Sequence, residues 1–246
     1  MQVNKTYFSV DLIGNKRTKS GDQIAEWIPP QVEEMLKQMN EWDWSKPFEF
    51  AMPGQPIASE ILDKFQENNL PEKLPNIGKF KLFDSSKLTD FIKGSFLEND
   101  GFLVSEKAKA LLTKFNIGMS GFYPITLSLH GVDHNNYYFL KSLTNSNKYV
   151  DPRRSNFFTQ KAFFNKETIT LIKFSTKNEF EHFVHNTPKH KLYLFAEKVK
   201  LNDNFPEFDL FEINDFGFNE IFVSENLSIA LRDMTGITLT KSEKIL

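Results

Sequence analysis

The chain has 246 residues, of which 40% are hydrophobic and 25% are charged, and its formal net charge is −2. This balance is that of an ordinary globular protein, and it excludes a general electrostatic attraction to nucleic acid or to anionic membranes. The absence of cysteine excludes disulfides, thiolate nucleophiles and cysteine zinc sites.

The N-terminal part of the chain combines predicted strands with connections rich in proline. Residues 1–8 lack the apolar core of a signal peptide. No apolar run approaches the roughly 20 residues that span a bilayer, so we expect a cytoplasmic protein that does not contact the membrane. Tyr7 to Ile13 alternates in polarity and predicts a first strand. The other candidates here are helices over 31–39, 59–65 and 86–92 and a strand over 80–84.

One pattern occurs twice: a short apolar run, then Val-Ser-Glu, then apolar residues at helical spacing. The first copy runs from Gly101 to Leu112 and the second from Glu220 to Leu231. Ser105 and Ser224 are each placed to accept a hydrogen bond from the first helical turn, and the glutamate that follows suits the positive end of the helix dipole. The sequence therefore predicts a repeated strand–Val-Ser-Glu–helix unit with serine N-caps, which carries no catalytic chemistry.

The second half of the chain is dominated by predicted strands. Residues 121–130 and 137–140 fit a hairpin with 131–136 as its loop. Further strands are predicted over 169–174, over 192–195 and, at a sheet edge, over 210–213. Strands grouped with a few packed helices, without regular alternation, predict an α+β fold of mainly antiparallel sheets.

The domain division rests on a single irregular stretch. The proline-rich region over 66–79 is the best candidate for a boundary between two domains. It predicts an N-terminal α+β region over 1–79 and an α+β domain over 80–246. A single domain is the alternative, because no flexible linker separates the two parts.

All five histidines lie in the second half, and His182 and His185 would share one face of a helix. Two imidazoles at this spacing would suit a zinc site, on which a metal-dependent hydrolase would depend. Without a His-Glu-x-x-His pattern or cysteine, ordinary surface histidines are favoured. There is also no Gly-rich phosphate loop and no Gly-x-Ser-x-Gly elbow. The sequence therefore predicts no catalytic residue, no metal and no cofactor.

A basic pair, Arg153-Arg154, lies near two aromatic residues, Tyr149 and Phe157. Charge and stacking of this kind can bind single-stranded nucleic acid. Because nucleic-acid binders usually neutralise several phosphates, a solvated turn is favoured over a nucleic-acid site.

The segment 201–220 carries six acidic residues, five phenylalanines and no lysine or arginine. One interpretation is a sheet edge whose aromatic residues face the core and whose acids face water. The other is an acidic surface for a basic protein partner, in which charge speeds encounter and aromatic residues anchor the contact. The candidate contacts are Asp203, Glu207, Asp209, Glu212 and Asp215.

Five short motifs stand out between about residue 100 and residue 246: Gly101–Glu106, Phe122-Tyr123-Pro124, Tyr137–Leu140, Phe222–Leu227 and Gly236-Ile237. In these motifs, this part of the chain resembles a bacterial family of immunity proteins from polymorphic toxin systems. This is the eleventh numbered immunity family, formerly a domain of unknown function. The resemblance implies a protein without enzymatic activity that binds and neutralises a cognate toxin, often encoded beside it.

Overall fold

The computed structural model describes residues 5–12, 24–28, 70, 79–82, 86–96, 99–142, 146–160, 169–186, 192–213, 216 and 220–245. Two predicted helices, over 31–39 and 59–65, lie outside these residues. Most of the proline-rich region over 66–79 lies outside them as well. Within them, three α-helices accompany many strands, and nearly all strand pairs are antiparallel. The predicted α+β class is therefore confirmed.

The helices and strands are numbered along the chain. The strands are β1 (Tyr7–Leu12), β2 (Ile24–Ile28), β3 (Lys79–Lys81), β4 (Phe91–Phe96), β5 (Asn99–Ser105), β6 (Ser120–Leu129), β7 (Val132–Ser142), β8 (Asn156–Gln160), β9 (Thr170–Ile172), β10 (Tyr193–Lys198), β11 (Leu210–Ile213), β12 (Glu220–Ser224) and β13 (Ile237–Lys241). The helices are α1 (Glu106–Leu112), α2 (Lys177–Asn186) and α3 (Glu225–Ala230), and Asn147–Tyr149 forms one 3-10 turn.

Six strands close into a barrel in the order β2-β3-β6-β7-β5-β4. The pairs β2–β4 and β3–β6 are parallel, and the other neighbours are antiparallel. Successive side chains of a strand point to opposite faces, so alternate residues of β6 and β7 point into the barrel. The buried core of the barrel consists of Phe80, Leu82, Ile92, Leu103, Tyr123, Ile125, Leu127, Leu129, Tyr137 and Phe139.

A second, four-stranded sheet has the order β11-β12-β1-β13 and is antiparallel throughout. As predicted, β11 lies at its edge. Beside it is a three-stranded sheet, β10-β8-β9, which is also antiparallel. Aromatic residues join the two sheets, because Phe157 of β8, Phe211 of β11 and Phe222 of β12 belong to one buried cluster. Helix α2 covers this cluster with Phe180 and Phe183.

The barrel contains a sheet that matches the four-stranded sheet strand for strand. The order β4-β5-β7-β6 corresponds to β11-β12-β1-β13. The register agrees as well, because Ser105 lies opposite Tyr137 and Ser224 lies opposite Tyr7. We call β4, β5, α1, β6 and β7 the first unit, and β11, β12, α3, β13 and β1 the second unit. The last strand of the second unit is thus supplied by the start of the chain.

The two units pack against each other through the apolar faces of their helices. Ala108 and Leu112 of α1 share a buried cluster with Leu227 of α3 and with Leu231 at its end. Leu111, Phe115 and Met234, which continue the apolar pattern, are partly buried against the same cluster. The apolar faces of both Val-Ser-Glu segments therefore meet between the units. The predicted repeat is confirmed, and its two helices meet in one shared core.

The helix predicted over 86–92 is wrong. Residues 86–89 form no regular structure, and β4 begins at Phe91. Phe91 and Ile92 are buried in two different cores, and both pair with residues of β5. Packing in these cores therefore determines their conformation and overrides a weak local helical pattern.

The loop predicted over 131–136 is shorter than expected. β6 ends at Leu129 and β7 begins at Val132, which leaves a two-residue turn. His130 and Gly131 both have positive φ, 53° and 75°, as the tight turns favoured in hairpins require.

The predicted boundary after residue 79 falls inside β3. β1 pairs with β12 and β13, while β2 pairs with β3 and β4. The described strands on the two sides of this boundary therefore share sheets.

Candidate functional site

An aspartate precedes the first strand of each unit and connects that unit's helix cap to the other unit. In the first unit, Ser105 Oγ donates to Asp90 Oδ1 at 2.8 Å and accepts from the N–H of Ala108 at 3.2 Å. Asp90 Oδ2 accepts from the N–H and from the hydroxyl of Thr235, which follows α3 in the second unit, both at 3.0 Å. One carboxylate thus holds the capping serine of its own unit and a threonine of the opposite unit.

The second unit repeats this arrangement with Asp209. Ser224 Oγ donates to Asp209 Oδ1 at 2.5 Å and accepts from the N–H of Leu227 at 3.2 Å. Asp209 Oδ2 accepts from the N–H of Asn116, which follows α1 in the first unit, at 2.9 Å. In both units the aspartate lies 15 residues before its serine. We call these two sets of contacts the unit junctions.

The unit junctions also perturb ionisable groups. Burial alone would raise the pKa of Asp90, but hydrogen bonds from Thr235 and Ser105, with the nearby charge of Lys107, hold it below its ordinary value. Burial, with the charge of Asp90, raises the pKa of Tyr137 to about 12. Burial, with the charges of Glu207 and Asp209, likewise raises the pKa of Tyr7 to about 12.

The junction serines are placed as caps, not as nucleophiles. Each hydroxyl donates to a carboxylate and accepts from a helical N–H. An activated serine usually gives its proton to a histidine, whereas Ser105 and Ser224 each donate to an aspartate that is itself held by the other unit. The arrangement fixes the geometry of the two helix caps.

The structure separates the five acids predicted as partner contacts. Asp203 and Glu207 are exposed, and each makes one surface ion pair, with Arg154 at 3.2 Å and with Lys5 at 2.5 Å. Asp209 is committed to its unit junction. Asp215 lies outside the described residues. Of the five, only Asp203 and Glu207 are described as exposed.

Glu212 is half-buried in β11 and lies near Lys141 of β7. Burial raises the pKa of Glu212, and the positive charge of Lys141 opposes this effect. Burial likewise lowers the pKa of Lys141. A carboxylate in this position is less accessible to a partner than one on the surface.

The basic pair is held by a buried carboxylate. Asp151 accepts from Arg153 through Nε at 3.2 Å and Nη2 at 3.2 Å, and from Arg154 Nε at 2.7 Å. Burial would raise the pKa of Asp151, but the hydrogen bonds from both arginines hold it below its ordinary value. Both guanidinium groups therefore bind a carboxylate of their own loop. This agrees with the interpretation of the basic pair as part of a solvated turn.

His182 and His185 lie on a helix, α2, and both are exposed. Among the described residues, no three His, Asp or Glu side chains come together in a way that could hold a metal ion.

None of the described helices is long and apolar enough to cross a membrane.

The sequence patterns missed three junction residues: Asp90, Thr235 and Asn116. The signal for Asp90 was the common spacing of Asp90 and Asp209 ahead of the two serines. Because an isolated Asp and Ser 15 residues apart carry no recognisable motif, only the comparison of both copies exposes the pair.

No protein-family model and no curated protein matches the chain. The resemblance to the immunity family therefore stays a prediction.

Proposed function

We propose that the protein is an immunity protein that binds a cognate bacterial toxin and neutralises it by protein–protein contact, without catalysis. The observation that supports the proposal is the position in the fold of the motifs behind the resemblance. Both Val-Ser-Glu segments behind the resemblance cap matching helices of two matching units. They therefore form one repeated structural feature, which is stronger support than two unrelated short matches.

The proposed toxin contact includes the exposed acids Asp203 and Glu207. Their side chains are 76% and 71% exposed, so a basic partner can reach them without rearrangement of the core. Exposed ion pairs such as theirs contribute little to stability and are readily exchanged for pairs with a partner. Charge at this surface would act mainly on the rate of association.

The test is co-expression with an inactivated copy of the toxin encoded beside the gene, followed by purification of the complex, and a growth assay with the active toxin. We expect a one-to-one complex and protection of the cells. If the chain gives neither a complex nor protection, the proposal fails.

A charge-reversal variant tests the proposed surface. We expect Asp203→Lys combined with Glu207→Lys to slow association with the toxin by about tenfold or more, because the charge that steers a basic partner is inverted. Surface plasmon resonance at low and high salt measures the rate. Glu181→Lys is the matched control, since Glu181 is also an exposed acid in a surface ion pair, on α2. Equal rates for both variants would remove these acids from the interface.

A further inference from the structure

A groove of about 530 Å³ opens between β13, the chain just after it, and the end of β10. The hydroxyl-bearing residues Ser9, Thr240 and Ser242 are among those that line it. At one end of the groove, the residue after β10 is bonded to the chain after β13, because the N–H of Val199 donates to the C=O of Lys244 at 2.8 Å. The charged residues that line it are Glu197, Lys198, Glu220, Lys241, Glu243 and Lys244.

The corresponding space in the first unit is filled by aromatic rings. Phe139 lies opposite Leu103, and Ser9 lies opposite Phe222, so Ser9 occupies the position of Phe139. Thr240, opposite Ser9, likewise occupies the position of Tyr123. Phe139 and Tyr123 are buried in the barrel core. Two small hydroxyl side chains in place of two large rings leave room for another molecule in the second unit.

β13, which borders the groove, lies at the end of its sheet among the described strands. In the first unit β6 is paired on both sides, with β7 and with β3. Its counterpart β13 pairs with β1 alone among the strands that the structure describes. Thr238 and Thr240 of β13 are exposed. An extended chain can add to such an edge through main-chain hydrogen bonds, and neighbouring side chains then provide the specificity.

The described residues that line the groove carry charges of both signs. They include three lysines and three glutamates, of which Lys244 and Glu220 form an ion pair. A polyanion such as nucleic acid would meet these carboxylates. A segment with side chains of both signs can pair with both kinds of residue.

We propose that this groove binds an extended segment of a partner polypeptide, which adds to the outer edge of β13 and carries charged side chains of both signs. Main-chain hydrogen bonds to β13 provide the affinity. The lysines and glutamates of the groove select the sequence.

The test uses a phage-displayed library of random peptides about 12 residues long, long enough to extend beyond a strand edge of this size. The full chain is the bait, and the enriched peptides are synthesised. Their affinities are measured for the wild type and for two variants that restore the rings of the first unit, Ser9→Phe and Thr240→Tyr. Thr240 is exposed, so Thr240→Tyr tests the groove even if Ser9→Phe does not fold. The matched control is Thr170→Tyr, an exposed threonine of another edge strand, β9.

We expect the enriched peptides to bind the wild type and Thr170→Tyr equally, and to lose at least about tenfold in affinity for Thr240→Tyr. Hydrogen exchange of the β13 amides should slow when peptide is bound. No enrichment, or equal binding to Thr240→Tyr, would overturn the proposal. Because the assay contains no toxin, its result is separate from that of the immunity test.

Discussion

Asp90 stabilises two parts of the molecule through one carboxylate. Its two oxygens accept from Ser105 within the first unit and from Thr235 in the second. Asp209 makes the corresponding contacts with Ser224 and Asn116. Hydrogen bonds to a charged group contribute more than neutral ones, and an orphaned partner adds a desolvation cost. At the scale of single residues, a change of one atom at a unit junction therefore affects both units.

We expect Asp90→Asn to lower the free energy of unfolding by about 1–3 kcal/mol at neutral pH, the range for a lost hydrogen bond to a charged group. The folded-state pKa of Asp90 lies below its ordinary value of 3.8, so the carboxylate stabilises the fold above that pH. This contribution is lost as the pH falls through the lower, folded-state value. Urea unfolding at about pH 7 and about pH 3 measures both effects.

The control for this variant is Asp133→Asn. Asp133 is an exposed strand residue whose ion pair with Lys79 is 3.6 Å long, and its loss should change the free energy of unfolding by less than about 1 kcal/mol. Asp90→Asn should keep part of the acid dependence, because the pKa of Asp151 is also lowered. An acid dependence as steep as that of the wild type would contradict the role given to Asp90.

At the scale of the elements, two connections between elements each contain a glycine, and the free space around the two glycines differs. Gly131 joins β6 to β7 at φ +75°, and a Cβ placed there would meet nothing within 4 Å. Gly236 precedes β13 at φ +90°, and a Cβ there would lie 2.0 Å from the backbone oxygen of Phe91. Both need a conformation that favours glycine, but only Gly236 also needs the missing side chain.

We expect Gly131→Ala to cost about 1 kcal/mol, the penalty for a left-handed residue with a Cβ. Gly236→Ala should cost at least about 2 kcal/mol more, because the backbone of β4 must also move. Chemical denaturation of the two variants measures the difference. Equal losses would mean that the contact between Gly236 and Phe91 adapts without cost.

The sequence predicted the repeat but not the barrel, for a physical reason. Serine caps and helical spacing are local patterns, so Ser105 and Ser224 could be identified directly. The closure of the barrel depends on the parallel pairs β2–β4 and β3–β6, which join segments far apart in the chain. No local pattern records such a pairing.

The candidate contacts were predicted from charge, and charge alone does not say which way a carboxylate points. Asp203 and Glu207 are exposed as an acidic surface requires. Asp209 instead binds Ser224 and the backbone of Asn116, a role that depends on residues brought together only by the fold. The groove beside Ser9 has no sequence signal, because its definition needs the comparison with Phe139.

At the scale of the whole molecule, the strand order of the second unit differs from its order along the chain. β1 takes the place that β7 has in the first unit, yet it precedes every other strand. The N–H of Ser242, just after β13, donates to the C=O of Tyr7 in β1 at 2.9 Å. Joining the two ends would therefore produce a hairpin of β13 and β1 that corresponds to the hairpin of β6 and β7.

We expect a circular permutant to fold when its original ends are joined by a short Gly/Ser linker and its new ends lie between Ser142 and Ser146. Its strands then follow each other as two complete units, with the pairing of the parent chain. Thermal unfolding should stay cooperative, with a midpoint within about 5 °C of the parent. A permutant with new ends inside β6 is the control and should not fold. Failure of the first permutant would show that the native order is required.

The same neighbours, β1 and β13, determine how the molecule responds to mechanical load. The N-terminal end of β1 lies beside the C-terminal end of β13, with Phe8 opposite Lys241. A pull on the two ends of the chain would break their hydrogen bonds one after another, because these bonds lie across the strands and the force acts at one end of the ladder. The four-stranded sheet should therefore unzip at low force. The barrel, whose six strands close on themselves, should yield only later.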